Sequence, residues 1–259
     1  MRIIRSIVAL AVTFGVLPAV AVAQPAASPY ITVHFDTIDP AGLMEFEANN
    51  KKWVDVFAEA GVGAEHGWRA YLSGFTYAWV SDAPNFAFLD GRDARDKALE
   101  ELVGKEKLEA LYEGNDAITS HYTEIWKFEP DLSYLPEGFD PASGQQAISV
   151  EYHHVRPSNG VDYRAAVKDA IAALVKVKAD TNFIGYQVAF GQGSFVYATF
   201  GESRGALHSG PQMGELLTKA LGEEGSMALQ QRWLDVVSGV EDRDWSVRGD
   251  LAYMPAAVE

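Results

Sequence analysis

The chain has 259 residues, with 21 Lys and Arg against 36 Asp and Glu, a net charge of −15, and no cysteine. That balance repels nucleic acid and anionic surfaces, so no nucleic-acid partner is expected, and the missing thiols exclude disulfides and thiolate metal sites. Stability must come from apolar burial, for which a hydrophobic content of 48% supplies the material.

In chain order the first element reads as an export signal. Arg2 and Arg5 precede an apolar run over residues 7–17, and Ala21-Val22-Ala23 has the small residues of a cleavage site. The expected mature protein is periplasmic or secreted, with residues 1–23 removed and no membrane contact after cleavage. Without a cysteine at the cleavage point, a lipid anchor there is excluded.

Residues 30–38 alternate apolar and polar at period two, which predicts a strand carrying Ile31, Val33 and Phe35 on one face. Asp39-Pro40 is a helix start, because an Asp side chain can cap and a proline loses nothing in the first turn. Leu43, Phe46, Trp53, Val54 and Phe57 follow at helical spacing, and Gly61 suits the helix end. Residues 67–73 and 75–80 predict a hairpin through Gly74. A charged helical stretch spans 92–112 with a break at Gly104, and residues 119–128 form the last strand.

The whole order then repeats. Ile31-Thr-Val-His-Phe-Asp36 before Pro40 returns as Ile148-Ser-Val-Glu-Tyr-His153 before Pro157, at an offset of 117 that drifts to 120 at Tyr77 and Tyr197. Leu132-Ser-Tyr-Leu-Pro136 returns as Leu251-Ala-Tyr-Met-Pro255. The second copy predicts a strand at 148–155, a helix at 161–178, a hairpin around Gly191-Gln-Gly193, helices near 213–221 and 227–237, and a short strand near Asp244. Residues 24–136 form the first module, 137–147 a linker rich in turn residues, and 148–259 the second module.

Each copy is a βαββαβ unit, the ferredoxin-like split βαβ motif, whose helices cover one sheet face and leave the other bare. The expected fold is α+β: two tandem ferredoxin-like modules whose antiparallel sheets pack into one pseudo-dimeric α/β barrel. In this order and duplication the chain resembles the dimeric α/β-barrel superfamily. That resemblance implies a range of activities: those of small antibiotic-biosynthesis-type monooxygenases, muconolactone isomerases, stress-response barrels and haem-binding chlorite-dismutase-like proteins.

If Ile31, Val33 and Phe35 face the helices, alternation sends His34 and Asp36 into the barrel, and the repeat sends Glu151 and His153 after them. Two imidazoles and two carboxylates in one cavity would suit acid/base catalysis or a metal ion. On the hairpins, Tyr77, Trp79 and Tyr197 share a face, and Arg69, Tyr71 and Gln187 are further candidates for a ligand-binding interior. The competing assignments are solvated strand polars for the first set and a filled core for the second. His208 falls in a loop, where a haem-ligand role has no supporting motif. No HExxH, GxSxG or Walker loop occurs, and no serine has a visible base.

The leading expectation is an exported small-molecule-binding barrel, a cofactor-independent oxygenase or isomerase acting on a mainly apolar ligand. The alternatives are a metal- or haem-binding barrel and a non-catalytic binding or assembly module. Cofactor content stays open at this level, as does oligomeric state.

Overall fold

The computed structural model describes residues 28–112, 115–141 and 143–255. The export segment expected over 1–23 lies outside the described residues. Among the described residues, no helix is long and apolar enough to cross a membrane.

The first module runs β1 (Tyr30–Ile38), α1 (Leu43–Ala60), β2 (Arg69–Ser73), β3 (Thr76–Ala83), a short α2 (Phe86–Asp90), α3 (Arg92–Val103), α4 (Lys105–Tyr112) and β4 (Ile118–Phe128). The second runs β5 (Ala147–Val155), α5 (Gly160–Val177), β6 (Ile184–Phe190), β7 (Phe195–Gly201), a short α6 (Arg204–Ser209), α7 (Met213–Val236) and β8 (Val237–Val247). Asp39 caps the turn before α1 by accepting from the Ala41 amide at 2.9 Å, as the Asp-Pro signal implied. The break between α3 and α4 falls at Gly104 (φ 95°), and α7 kinks at the repeat-equivalent Gly222 (φ 77°). Both residues adopt a left-handed backbone that costs other residues more.

The eight strands close into one barrel in the order β1-β3-β2-β8-β5-β7-β6-β4. Within each module the order is that of a ferredoxin-like sheet, and the two sheets join through β2–β8 and β4–β6. The two junctions are equivalent under exchange of the modules. Closure leaves no open sheet edge, which removes the association hazard of a bare strand.

Which face of each strand meets the helices is the opposite of the sequence expectation. Ile31, Val33 and Phe35 pack with Ile148, Val150, Val196, Ala198, Trp126 and Trp245 inside the barrel. His34, Asp36, Glu151 and His153 point outward, toward the helices or solvent. The physical reason lies in β-sheet packing: the wall shared by two facing sheets is the most apolar surface available, so the aliphatic stripe goes there. The helix-facing side instead takes large mixed residues such as Tyr77 and Tyr197, whose hydroxyls meet polar groups at helix–sheet seams, Glu47 and the Tyr163 hydroxyl of α5.

After its last strand, each module's chain crosses to the other module. Residues Gly249–Leu251 follow β8 and pack on α1 and β2 of the first module, while Pro130–Leu132 follow β4 and pack on α5 and β6 of the second. Leu251 and Leu132 are fully buried. The Trp68 indole donates to the Leu251 carbonyl at 2.7 Å, and the Tyr253 hydroxyl donates to the Val62 carbonyl at 2.6 Å. In the mirrored position, the Tyr134 hydroxyl donates to the Ala179 carbonyl at 3.0 Å. Each module's core is thus completed by a segment of the other.

Two further expectations are corrected. His208 lies on α6 rather than in a loop, capped by Ser203 accepting from the Ala206 amide. The final strand spans eleven residues, not a short stretch near Asp244, because pairing with β5 along its length outweighs its polar content.

Candidate functional site

The two inner sheet faces do not fill the space between them. A cavity of about 540 Å³ lies inside the barrel, within the range of small-molecule sites. Its wall is mainly apolar, with Ile31, Val33, Val80, Ile148, Val150 and both indoles, Trp126 and Trp245. The linker contributes Asp140, Pro141 and Gln145, and the C-terminal segment contributes Ala252 and Met254. Alanines at two repeat-equivalent positions, Ala78 and Ala198, leave part of the space open.

β2, β3 and β6 add the polar side chains Arg69, Tyr71, Asp82 and Tyr186 to the cavity wall. Arg69 donates from a terminal guanidinium nitrogen to Asp82 at 2.6 Å, while its Nε is buried without a hydrogen-bond partner. A buried donor of that kind costs free energy until something accepts from it. Burial alone would lower the Arg69 pKa, but Tyr71 and Asp82 outweigh it and hold the group above its ordinary value, so it stays cationic. Burial raises Tyr71 and Tyr186, so both phenols remain neutral hydrogen-bond donors at physiological pH.

On the inner face of β4, beside the cavity, sits a carboxylate that the sequence reading missed. Glu124 is 1% exposed. It accepts from the Trp126 indole at 2.7 Å, the Tyr152 hydroxyl at 3.2 Å and the Gln192 amide at 2.9 Å. Gly191 (φ 142°) lets the β6–β7 turn come this close, since a Cβ there would lie 2.7 Å from the Glu124 side chain. The available signal was a glutamate on the aromatic, inward stripe of Tyr122, Glu124 and Trp126. The network fixes two cavity-wall aromatics in place.

Of the residues expected to bind a ligand, Arg69 and Tyr71 line the cavity, and Tyr77, Trp79, Gln187 and Tyr197 do not. Alternation is the reason: residues 69 and 71 share the inner face with Ala78 and Val80, so 77 and 79 must face the helices. There Tyr77 donates to Glu47, Gln187 accepts from Arg164 at 2.7 Å, and Tyr197 accepts from the Tyr163 hydroxyl at 2.9 Å. Trp79 packs on Tyr77 and donates to Asp36 at 2.7 Å.

The four-residue catalytic cluster does not assemble. β1 and β5 stand on opposite sides of the closed barrel, and both pairs point outward. Each pair is joined only within itself: His34 Nε2 lies 3.0 Å from Asp36, and His153 Nε2 lies 3.2 Å from Glu151. His153 is buried among Tyr163, Tyr197 and Trp233, with Nδ1 held by the Tyr163 hydroxyl at 2.6 Å, a core role. His34 and Asp36 instead gather with His121 of β4 as a potential ligand set for a metal ion. Among the described residues no histidine lines the cavity, and the exposed His208 is held by Asp244 at 2.7 Å, so neither offers a haem ligand aimed at an interior.

No protein-family model matches the sequence, and no curated protein does. Among solved structures, the chain is similar to a monooxygenase-like protein from Lactobacillus acidophilus, with a TM-score of 0.51 and 10% identity over 89% of this chain and 98% of that one. It is also similar to an anthrone oxidase-like protein, with a TM-score of 0.52 and 16% identity over 85% and 91% of the two chains. A monooxygenase-like protein from Fusobacterium nucleatum gives 0.50 and 10% over 90% and 100%. At such identities the likeness is one of fold: the dimeric α/β barrel, here with both halves in one chain.

Proposed function

We propose that this is an exported small-molecule-binding barrel whose inter-sheet cavity takes a mainly apolar ligand bearing an anionic or enolisable oxygen. The observation that carries this reading is the Arg69 guanidinium, a cation set in the wall of a mainly apolar cavity of about 540 Å³. A ligand oxygen would pair with the accessible part of the guanidinium, and the aliphatic and indole wall would gain from burying the remainder. Tyr71 and Tyr186 supply neutral donors nearby.

The finer reading is oxygenase or isomerase chemistry without a cofactor; its oxygenase half draws support from the monooxygenase-like and anthrone oxidase-like proteins of the same fold. Both reactions begin by removing a proton beside a carbonyl. Asp82, the wall carboxylate beside Arg69, would take it, and Arg69 would stabilise the enolate oxygen that forms.

Titration with 1-anilinonaphthalene-8-sulfonate, an apolar anion whose emission rises in dry surroundings, tests the binding claim. Arg69→Met should weaken its binding by about tenfold or more, the scale of a lost charge-assisted hydrogen bond. Tyr77→Phe, outside the cavity, should leave it unchanged. Equal affinity in Arg69→Met and the parent chain would overturn the role given to Arg69.

A further inference from the structure

We propose a divalent transition-metal site on the outer face of the first sheet, formed by His34, Asp36 and His121, separate from the barrel cavity. One ligand atom from each of the three lies within 4.8 Å of the others. The arrangement follows from register. His34 and Asp36 are two apart on β1 and share a face, and His121 on β4 stands directly opposite Asp36. Two imidazole nitrogens and one carboxylate oxygen make a borderline donor set, which favours zinc, cobalt or iron(II) over calcium or magnesium.

The ligands are oriented by hydrogen bonds to their remote atoms, while the atoms that would face a metal, His34 Nε2 and Asp36 Oδ1, meet each other at 3.0 Å. Trp79, opposite His34 on β3, donates to one Asp36 oxygen at 2.7 Å and leaves the other turned toward His34. Thr123, opposite His34 on β4, lies 2.7 Å from its Nδ1, which fixes the ring with Nε2 toward Asp36. Outer contacts of this kind, an N–H on the carboxylate and a hydroxyl on the remote imidazole nitrogen, set ligand geometry in metal sites. Asp36 is buried while His34 and His121 reach solvent, so three protein ligands would hold one side of the ion and water the other.

The second module serves as an internal contrast. The repeat places Glu151 at the position of His34, His153 at that of Asp36 and, by the same strand pairing, Val240 at that of His121. There the third ligand is gone, since Val240 stands opposite His153, and His153 itself is buried among Tyr163, Tyr197 and Trp233. The site is therefore a property of the first module alone.

The test is titration of the untagged chain with Co²⁺, read by its visible absorption bands, and with Zn²⁺ by calorimetry. One equivalent of each should bind. His121→Ala, a change at an exposed side chain that leaves the core intact, should weaken binding by about tenfold or more, and Thr123→Val should weaken it measurably. His208→Ala, which removes an equally exposed histidine paired with Asp244, should change nothing. Absence of saturable Co²⁺ binding in the parent chain, or His121→Ala binding as tightly as the parent, would overturn the proposal.

Discussion

The two modules are built on the same scaffold yet hold it together with opposite charges. In the first, Glu47 on α1 pairs with Arg248 in the crossing segment from the second module. In the second, the equivalent position on α5 is Arg164, and it pairs with Glu129 in the crossing segment from the first, at 2.8 Å. A neighbouring pair keeps its polarity: Lys51 with Asp250 at 3.4 Å, and Lys168 with Asp131 at 2.8 Å. The contact between helix and crossing segment therefore persists while the residues making it have exchanged sign. That pattern marks the crossing segments as what ties each module to the other, and it leaves the sheet face beneath free to diverge. Under α5 that face became a sealed core around Tyr163 and His153, and beside α1 it kept a half-open histidine–carboxylate group.

The largest effect should come from emptying the crossing contacts. Leu251→Ala and Leu132→Ala each remove a fully buried side chain at equivalent places, and each should cost about 2–5 kcal/mol in urea denaturation. Because each segment belongs to one module and stabilises the other, the two variants should unfold in a single transition. A biphasic transition, with one module outliving the other, would break the equivalence.

Exchanging the charges sharpens the same comparison. Glu47→Arg or Arg248→Glu alone leaves two like charges in a largely buried contact and should cost about 1–3 kcal/mol. The double exchange reproduces the polarity found in the second module and should recover most of that loss. If the double variant is no more stable than the worse single one, the two contacts are not interchangeable.

Acid should reveal the pairs together. The hydrogen bond from Arg248 lowers the Glu47 pKa, and Arg164 and Lys127 lower that of Glu129 although burial opposes them. Asp250 falls to about 2, chiefly through its bond with Arg248. Folded values below the unfolded ones mean that this stability is complete above about pH 4.5 and is lost as pH falls through the depressed values. Stability should therefore drop between about pH 4.5 and pH 2, and Glu47→Gln with Glu129→Gln should flatten that limb. An unchanged acid limb in the double variant would place the acid sensitivity elsewhere.

The fold was largely legible because the repeat fixes element order twice over, and residues such as Asp39, Pro40 and Gly104 carry local signals. The site was not, for two physical reasons. Alternation tells which residues share a strand face, but not which face meets helices and which meets the other sheet. His34, Asp36, Tyr77 and Trp79 do share a face, as register confirms, yet it is the outer one. Arg69 and Tyr71 lie on the inner face, where alternation from Ala78 and Val80 puts them. His121 and Glu124 depend on pairings between strands far apart in sequence, which no local pattern encodes.

The claim that the space between the sheets is the binding site meets its most direct test at Ala78 and Ala198. Both line the cavity at equivalent positions, so Ala78→Phe and Ala198→Phe each push a ring into the space where a ligand would lie. With fold retained by circular dichroism, both variants should lose at least about nine-tenths of the affinity for 1-anilinonaphthalene-8-sulfonate, the loss of about 1.4 kcal/mol or more expected when a ligand's burial is denied. Folded variants that bind the probe as well as the parent chain would place the ligand outside the barrel and contradict the account.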